Sequence, residues 1–401
     1  MIADMHCHYP MHLLGEDRPP SHAFDHMVRK GRRPRWLDRF RAWLLRRAAE
    51  RINYRDEHSG WRVTFDGLEN GRTRVVFSVL YEPFAEIDFD ELPGSDPEEG
   101  YFADLMDHLT LVEDELKRID PGNERHVRVR TAADLDSAIE TGRLAFVPCV
   151  EGAFHLGRTP EAIEANVAEL ARRGCGYITL AHLFYRGIAT NANALPFVSE
   201  GIYDRFFCQP RNRPLSKLGV AAIRAMYDHR VLIDLSHARP DSVHATLDLL
   251  DELDAERGAD PKDYPVISSH AGYRFGKQKY MHDDRAIERI AARDGVIGLI
   301  FARHQLQDGR ADGEGLDHTI ETLTAHIDKI RAAAGSNAHV GIGSDLDGFI
   351  KPTMSGVEAI DDLALVDERL HAAYPDDGEA ITSQNAIRVL RRVLAQRPTA
   401  A

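Results

Sequence analysis

Residues 231–253 read VLIDLSHARPDSVHATLDLLDEL, and they hold one full structural period of the chain. Val231–His237 is a short, nearly continuous apolar run, the pattern of a strand buried on both faces. Pro240-Asp241-Ser242 then supplies a first-turn proline and acid before the helical periodicity of Val243–Leu253. The same strand pattern recurs at Met1–His8, Arg74–Tyr81, Leu144–Gly152, Gly176–His182, Pro265–His270, Val296–Phe301 and His339–Asp345. Most of these runs lead into a helix with its own start signal: Thr159-Pro160-Glu161 opens Ala162–Arg173, and Asp283-Asp284 opens Ala286–Arg293. Strand–helix alternation repeated eight times predicts an α/β fold, a parallel (β/α)8 TIM barrel. The competing arrangement is an open doubly wound sheet, but no G-x-G-x-x-G follows the first strand.

Such a barrel takes about 250 residues, and the chain has 401. One domain over 1–401 is therefore expected, with insertions at about 9–73 and 82–143. The first insertion holds a basic amphipathic helix near Arg35–Ile52, with Trp36, Leu37, Phe40, Trp43, Leu44 and Ala48 in one stripe. It reads as a helix packed on the barrel with a solvated basic face; docking to a membrane or a partner is the alternative. Trp61, Val63 and Phe65 alternate with polar residues before Asn70-Gly71, which reads as a hairpin. Ser383–Gln396 is expected to be helical.

With 43% hydrophobic residues the chain can bury a large core, and 50 Lys+Arg against 64 Asp+Glu gives a net charge of −14. That balance argues against a protein built to bind nucleic acid or anionic membranes. The cysteines Cys7, Cys149, Cys175 and Cys208 contain no C-x-x-C pair, which disfavours a disulfide framework or a thiolate zinc site. The opening residues show no signal-peptide pattern, and no apolar run reaches the ~20 residues of a spanning helix. A soluble, cytoplasmic protein is the expectation, with a homodimer open as its assembly.

Barrel enzymes carry their chemistry at the C-terminal ends of the strands. Here the first strand ends His6-Cys7-His8, and alternation aims both imidazoles at one face and Cys7 at the other. The others end in Glu151, in Asp234-Leu235-Ser236-His237, in Ser268-Ser269-His270 and in Gly343-Ser344-Asp345. A single strand-end histidine is usually structural, but five such ends converging on one pole predict metal binding. Four histidines and two carboxylates without a thiolate suit Zn²⁺, with Mn²⁺, Fe²⁺, Co²⁺ or Ni²⁺ as alternatives. Six protein ligands exceed what one open catalytic zinc uses and suit two ions sharing a carboxylate, the arrangement of a binuclear hydrolase. His155, His304 and His339 read as structural, and Ser344 and Asp347 as groups that orient Asp345.

The chain resembles the membrane-dipeptidase (renal dipeptidase-like) family, peptidase family M19, of the amidohydrolase superfamily. The resemblance rests on D-M-H-C-H at Asp4–His8, V-E-G at Val150–Gly152, I-T-L-A-H at Ile178–His182, L-I-D-L-S-H at Leu232–His237, V-I-S-S-H at Val266–His270 and H-V-G-I-G-S-D-L-D-G at His339–Gly348. It implies that Glu151 bridges two metals, that His6, His8 and Asp345 hold one of them and that His237 and His270 hold the other. It further implies that Asp345 takes the proton of the attacking water, a metal-bridging hydroxide, and that His182 steadies the scissile carbonyl oxygen.

Two departures stand out. The family's first motif is H-x-D, whereas this chain has His6-Cys7-His8, removing one negative charge from the site. The family's carboxylate-gripping arginine aligns nearest to Lys279, a point charge without the bidentate fork, with Arg274 as the substitute. The expected activity is dipeptide hydrolysis, with a D-residue accepted on the leaving side. The alternatives are an N-acyl amino acid, other amide or lactone as substrate, and a barrel that binds metal or ligand without turnover.

Overall fold

The computed structural model describes residues 1–14, 61–81, 86, 100–196, 198–207, 209–210, 212–348 and 352–398. The basic stretch Arg35–Ile52 and Cys208 lie outside the described residues.

Among the described residues nine strands form: β1 (Ile2–Cys7), β2 (Thr73–Leu80), β3 (His126–Arg128), β4 (Leu144–Glu151), β5 (Tyr177–Thr179), β6 (Leu232–Asp234), β7 (Ile267–Ala271), β8 (Val296–Leu299) and β9 (Val340–Ile342). All their pairings are parallel, and the order β2-β1-β9-β8-β7-β6-β5-β4 closes through β2–β4 into an eight-stranded barrel. This is the (β/α)8 barrel, and each of the eight barrel strands expected from the sequence is present. The ninth strand, β3, lies outside the ring. It pairs His126–Arg128 with the first half of β4, on the edge that β5 takes further along at Val150 and Glu151. Because β2 pairs directly with β4, everything between them is an excursion. It includes the helices Tyr101–Ile119 and Ala132–Thr141, the second opened by a Thr131–Asp134 capping box.

The helix starts follow the sequence signals. Thr159 accepts from the Ala162 amide with Pro160 in the first turn, and Asp283 accepts from the Ala286 amide at 3.1 Å. Helix Pro240–Arg257 begins at its proline, and helix Asn385–Ala395 ends the described chain after a π-turn at Ala380–Gln384.

The hairpin expected around Asn70-Gly71 is not formed. Thr64 Oγ1 accepts from the Gly67 amide at 3.0 Å, which starts a helix over Phe65–Asn70. Gly71 ends it, its amide donating to Gly67 O, and it packs so closely on Ile360 that a Cβ there would meet Ile360 O at 2.2 Å. Three apolar residues in alternation are too few to separate a strand from a helix when a capping threonine stands between them.

The strands are buried on both faces, and the apolar core runs continuously from barrel to helices. Register sets the site: Glu151 lies beside Thr179, Thr179 beside Asp234, and Asp234 beside Ile267.

Candidate metal centre

Parallel pairing brings the C-terminal ends of all eight barrel strands to one pole. Glu151 is the last residue of β4, His6 lies in β1 with His8 just after it, and His270 lies in β7. His182, His237 and Asp345 each stand three residues beyond β5, β6 and β9. All seven side chains are buried. His237 and Asp345 reach the pole on left-handed backbone, at φ 63° and 57°. For non-glycine residues such conformations cost on the order of 1–3 kcal/mol and persist only where the surroundings fix them. At Asp345 the amide is fixed by the His6 carbonyl, 2.8 Å away.

Glu151 is the centre of the cluster. Its Oε1 lies 3.3 Å from His6 Nε2, 3.3 Å from His237 Nε2 and 3.6 Å from His270 Nε2. Its Oε2 lies 3.4 Å from both His8 Nε2 and His182 Nε2. Asp345 Oδ1 is 3.2 Å from His8 Nε2 and 3.7 Å from His6 Nε2. The imidazole nitrogens also crowd each other, at 3.2 Å for His6–His8 and 2.9 Å for His237–His270.

These side chains fit divalent ions. Neither buried oxygen of Glu151 has a hydrogen-bond partner among the described residues, a costly state for a buried carboxylate with only ring nitrogens around it. Three sets of donors lie close enough for one ion each: His6, His8 and Asp345; His6, Glu151 and His270; and Glu151, His182 and His237. Bonds of ~2.0–2.1 Å to a tetrahedral zinc place neighbouring donors about 3.4 Å apart, which is the spacing seen around Glu151.

Electrostatics bind the cluster together. Burial alone would raise the Glu151 carboxyl, but the His182 and His6 rings outweigh it and hold the group well below the usual range. For His182, burial opposes charge, yet the Glu151 and Glu86 carboxylates prevail and push the ring up to about 9. His270 is held well below the ordinary histidine value by burial and by the adjoining His6 and His237 rings.

Glu86 is a functional residue that strand-end reasoning misses, since it sits in the insertion after β2. Its Oε2 accepts from His182 Nδ1 at 2.5 Å and from Tyr81 OH at 2.7 Å, and its Oε1 accepts from the Phe184 amide at 2.8 Å. A carboxylate on Nδ1 fixes which way the His182 ring faces. Tyr280 is the second such residue; its hydroxyl donates to His270 O at 3.1 Å and lies 3.4 Å from His237 Nε2.

Ser344 and Asp347 do not act as expected of them. Ser344 bonds Asp4 through its amide at 2.8 Å and its hydroxyl at 2.5 Å, and the Asp347 carboxylate accepts from the Arg62 and Val63 amides. Ser344 ties the loop after β9 to the Asp4 carboxylate, and Asp347 ties it to the backbone at Arg62 and Val63. His155, His304 and His339 bond the carbonyls of Gly152, Ala194 and Gly295, as structural histidines do. Arg274 donates to Met281 O at 2.8 Å and to Asp283 at 3.1 Å, while Lys279 stands 3.6 Å from Asp204 and 4.0 Å from Glu200.

Fold and cluster together define a (β/α)8 barrel with a multi-histidine, carboxylate-centred metal site at its mouth. Within that class, the chain belongs to the membrane dipeptidase family, peptidase family M19, whose model matches residues 41–400. His6 and His8 lie ahead of the matched range. Among curated proteins, the chain is 28% identical over 306 residues to the uncharacterized dipeptidase C965.12 of Schizosaccharomyces pombe, covering 73% of this chain and 65% of that protein. It is 26% identical over 304 residues to dipeptidase verJ of Clonostachys rogersoniana, covering 75% and 67%. The matches thus span about two thirds of these relatives' length. A crystal structure of a metallo peptidase from Rhodobacter sphaeroides, liganded with a phosphinate mimic of the dipeptide L-Ala-D-Ala, superposes with a TM-score of 0.65 at 17% identity, over 98% of this chain and 99% of that one. The M19 dipeptidase AC gives 0.63 at 19% identity, over 89% and 96%. At these identities the structural likeness speaks for the fold.

Proposed function

We propose that this chain is a dipeptidase that works with two divalent ions, zinc first among them, held around Glu151. The observation that carries this reading is a buried carboxylate with no hydrogen-bond partner among the described residues, ringed by five Nε2 atoms, in a chain of the dipeptidase family. His6, His8 and Asp345 would hold one ion, His237 and His270 the other, and Glu151 both. Ions held there supply Lewis acidity, lowering the pKa of a water and polarising a carbonyl oxygen.

The protein's own groups do the rest. Asp345, the carboxylate nearest His8, takes the proton of the attacking water and returns it to the leaving amine. His182, with Nδ1 held by Glu86, turns Nε2 toward the centre and donates to the carbonyl oxygen as that oxygen gains charge. The buried walls exclude bulk water, which strengthens each of these interactions. Lys279 or Arg274 takes the free α-carboxylate, and Lys279 has the looser partners of the two. Acceptance of a D-residue on the leaving side is part of the proposal, supported by the L-Ala-D-Ala mimic in the related structure.

A second reading has its own support. Arg274 is bonded to Asp283 and Met281 O, and Lys279 faces Asp204 and Glu200. If neither leaves its acidic partner for substrate, an N-acyl amino acid, another amide or a lactone fits better than a dipeptide. A hydrolysis screen of Zn²⁺-loaded protein against L,L- and L,D-dipeptides, N-acyl amino acids and lactones separates the two. Turnover of dipeptides above the others supports the first reading, and preference for N-acyl substrates or lactones replaces it with the second.

A further inference from the structure

The motifs L-I-D-L-S-H and V-I-S-S-H carry four polar residues that bind no metal in this account, and three of them, Asp234, Ser236 and Ser269, form one network. All three are fully buried. Asp234 Oδ1 accepts from the Ser236 amide at 3.0 Å, the Ser236 hydroxyl at 2.8 Å and the Ser269 amide at 2.7 Å. Its Oδ2 accepts from the Thr179 and Ser269 hydroxyls, both at 2.6 Å. An ionised carboxylate only accepts, so the single Ser269 proton is committed to Asp234.

Ser269 Oγ therefore meets its other neighbours as an acceptor. Its ring neighbours are His270 Nδ1 at 2.8 Å and His6 Nδ1 at 3.1 Å; Ser236 Oγ, whose own proton goes to Asp234, lies 3.3 Å away. Nδ1–H on both rings satisfies these contacts and leaves a lone pair on each Nε2, the atom facing Glu151. His6 belongs to one half of the proposed metal centre and His270 to the other, and their ring centroids are 3.7 Å apart. Tyr177 OH offers His6 Nδ1 a second partner at 2.7 Å, whereas His270 Nδ1 has Ser269.

We infer that Ser269, backed by Asp234, is a positioning residue shared by the two ion sites, holding one imidazole of each in its metal-binding tautomer. This rests on the metal-centre reading above. A hydrogen bond of this kind raises ligand basicity and fixes ring orientation, and its loss typically lowers metal affinity about 10–100-fold. One hydroxyl thus couples the two affinities, and the coupling is lopsided: the ion at His270 depends on it more than the ion at His6.

The test is a Zn²⁺ binding isotherm, by competition with a chromophoric chelator, on wild type, Ser269→Ala, Ser269→Thr and Ser268→Ala. Ser268 is the control, since its hydroxyl bonds His282 Nε2 at 2.8 Å and no proposed ligand. Ser269→Ala is expected to weaken both ions at least about tenfold, more at the His270 site. Ser269→Thr should restore binding, and Ser268→Ala should leave it unchanged. Wild type binding no Zn²⁺ would remove the metal centre itself. Wild type binding two ions while Ser269→Ala matched it, or lost only one, would overturn the shared role. Should Ser269→Ala not fold, ring-nitrogen NMR of the metal-free wild type decides: both His6 and His270 as Nδ1–H supports the inference, and the other tautomer at either ring refutes it.

Discussion

A Cβ built on Gly348 would stand 2.0 Å from Asp345 Oδ1, so the missing side chain at 348 is what lets the Asp345 carboxylate face His6 and His8. Asp345 already sits at φ 57° with its amide on His6 O, and its backbone has little freedom to compensate. Gly348→Ala is expected to turn the carboxylate aside, lowering kcat/KM at least about tenfold, because a misplaced proton acceptor loses its catalytic contribution. The thermal midpoint should fall as well, since the added Cβ also meets the Asp345 carbonyl oxygen at 2.9 Å. Unchanged kinetics would show that Asp345 is not held by this contact.

Bridging and proton transfer separate by substitution. Glu151→Gln should lose bound metal, because an amide does not join two cations as a carboxylate does. Asp345→Asn should keep at least one ion and lose activity about 10²–10⁴-fold, the usual contribution of a positioned base. Elemental analysis beside turnover numbers reads both, and near-normal turnover in Asp345→Asn would contradict the role given to it.

Removing the ions should also cost stability. Ligands that bind only the folded chain add RT ln(1 + [L]/Kd), about 2.7 kcal/mol at a hundredfold excess over Kd. Chelation is therefore expected to lower the thermal midpoint and Zn²⁺ to restore it. A midpoint indifferent to both treatments would argue against a metal centre.

How legible the site was depended on where each residue lies. His6, His8, Glu151, His182, His237, His270 and Asp345 all end or follow barrel strands, so strand periodicity alone gathers them at one pole. Glu86 and Tyr280 reach the same pole from excursions whose paths no periodicity encodes. Strand β3 lies outside the ring and reads His126-Val127-Arg128, with one apolar residue and so no apolar run to signal it. The Phe65–Asn70 helix has six residues, too few to show a helical period, and Ser344 bonds Asp4, 340 residues away, a partner no local pattern reveals.

Acid should destabilise the fold in a defined window. Burial, with help from Arg274 and Arg310 respectively, pushes the His282 and His326 rings down to about 4, against about 6.5 in the unfolded chain. A histidine depressed on folding is protonated first when unfolded, so it costs nothing above that unfolded value. Stability then falls as pH drops toward 4, by up to about 1.4 kcal/mol per pH unit per ring. Denaturation of metal-free protein between pH 7 and 4 checks this: His326→Gln should flatten the slope, and an equal slope in the variant would rule the ring out.

The most direct test of the central claim is a titration of chelated protein with Zn²⁺ while dipeptide hydrolysis is followed. The account predicts no turnover without metal and a rise to a plateau at two ions per chain. A plateau at one ion, or two bound ions with no dipeptide cleaved, would contradict it.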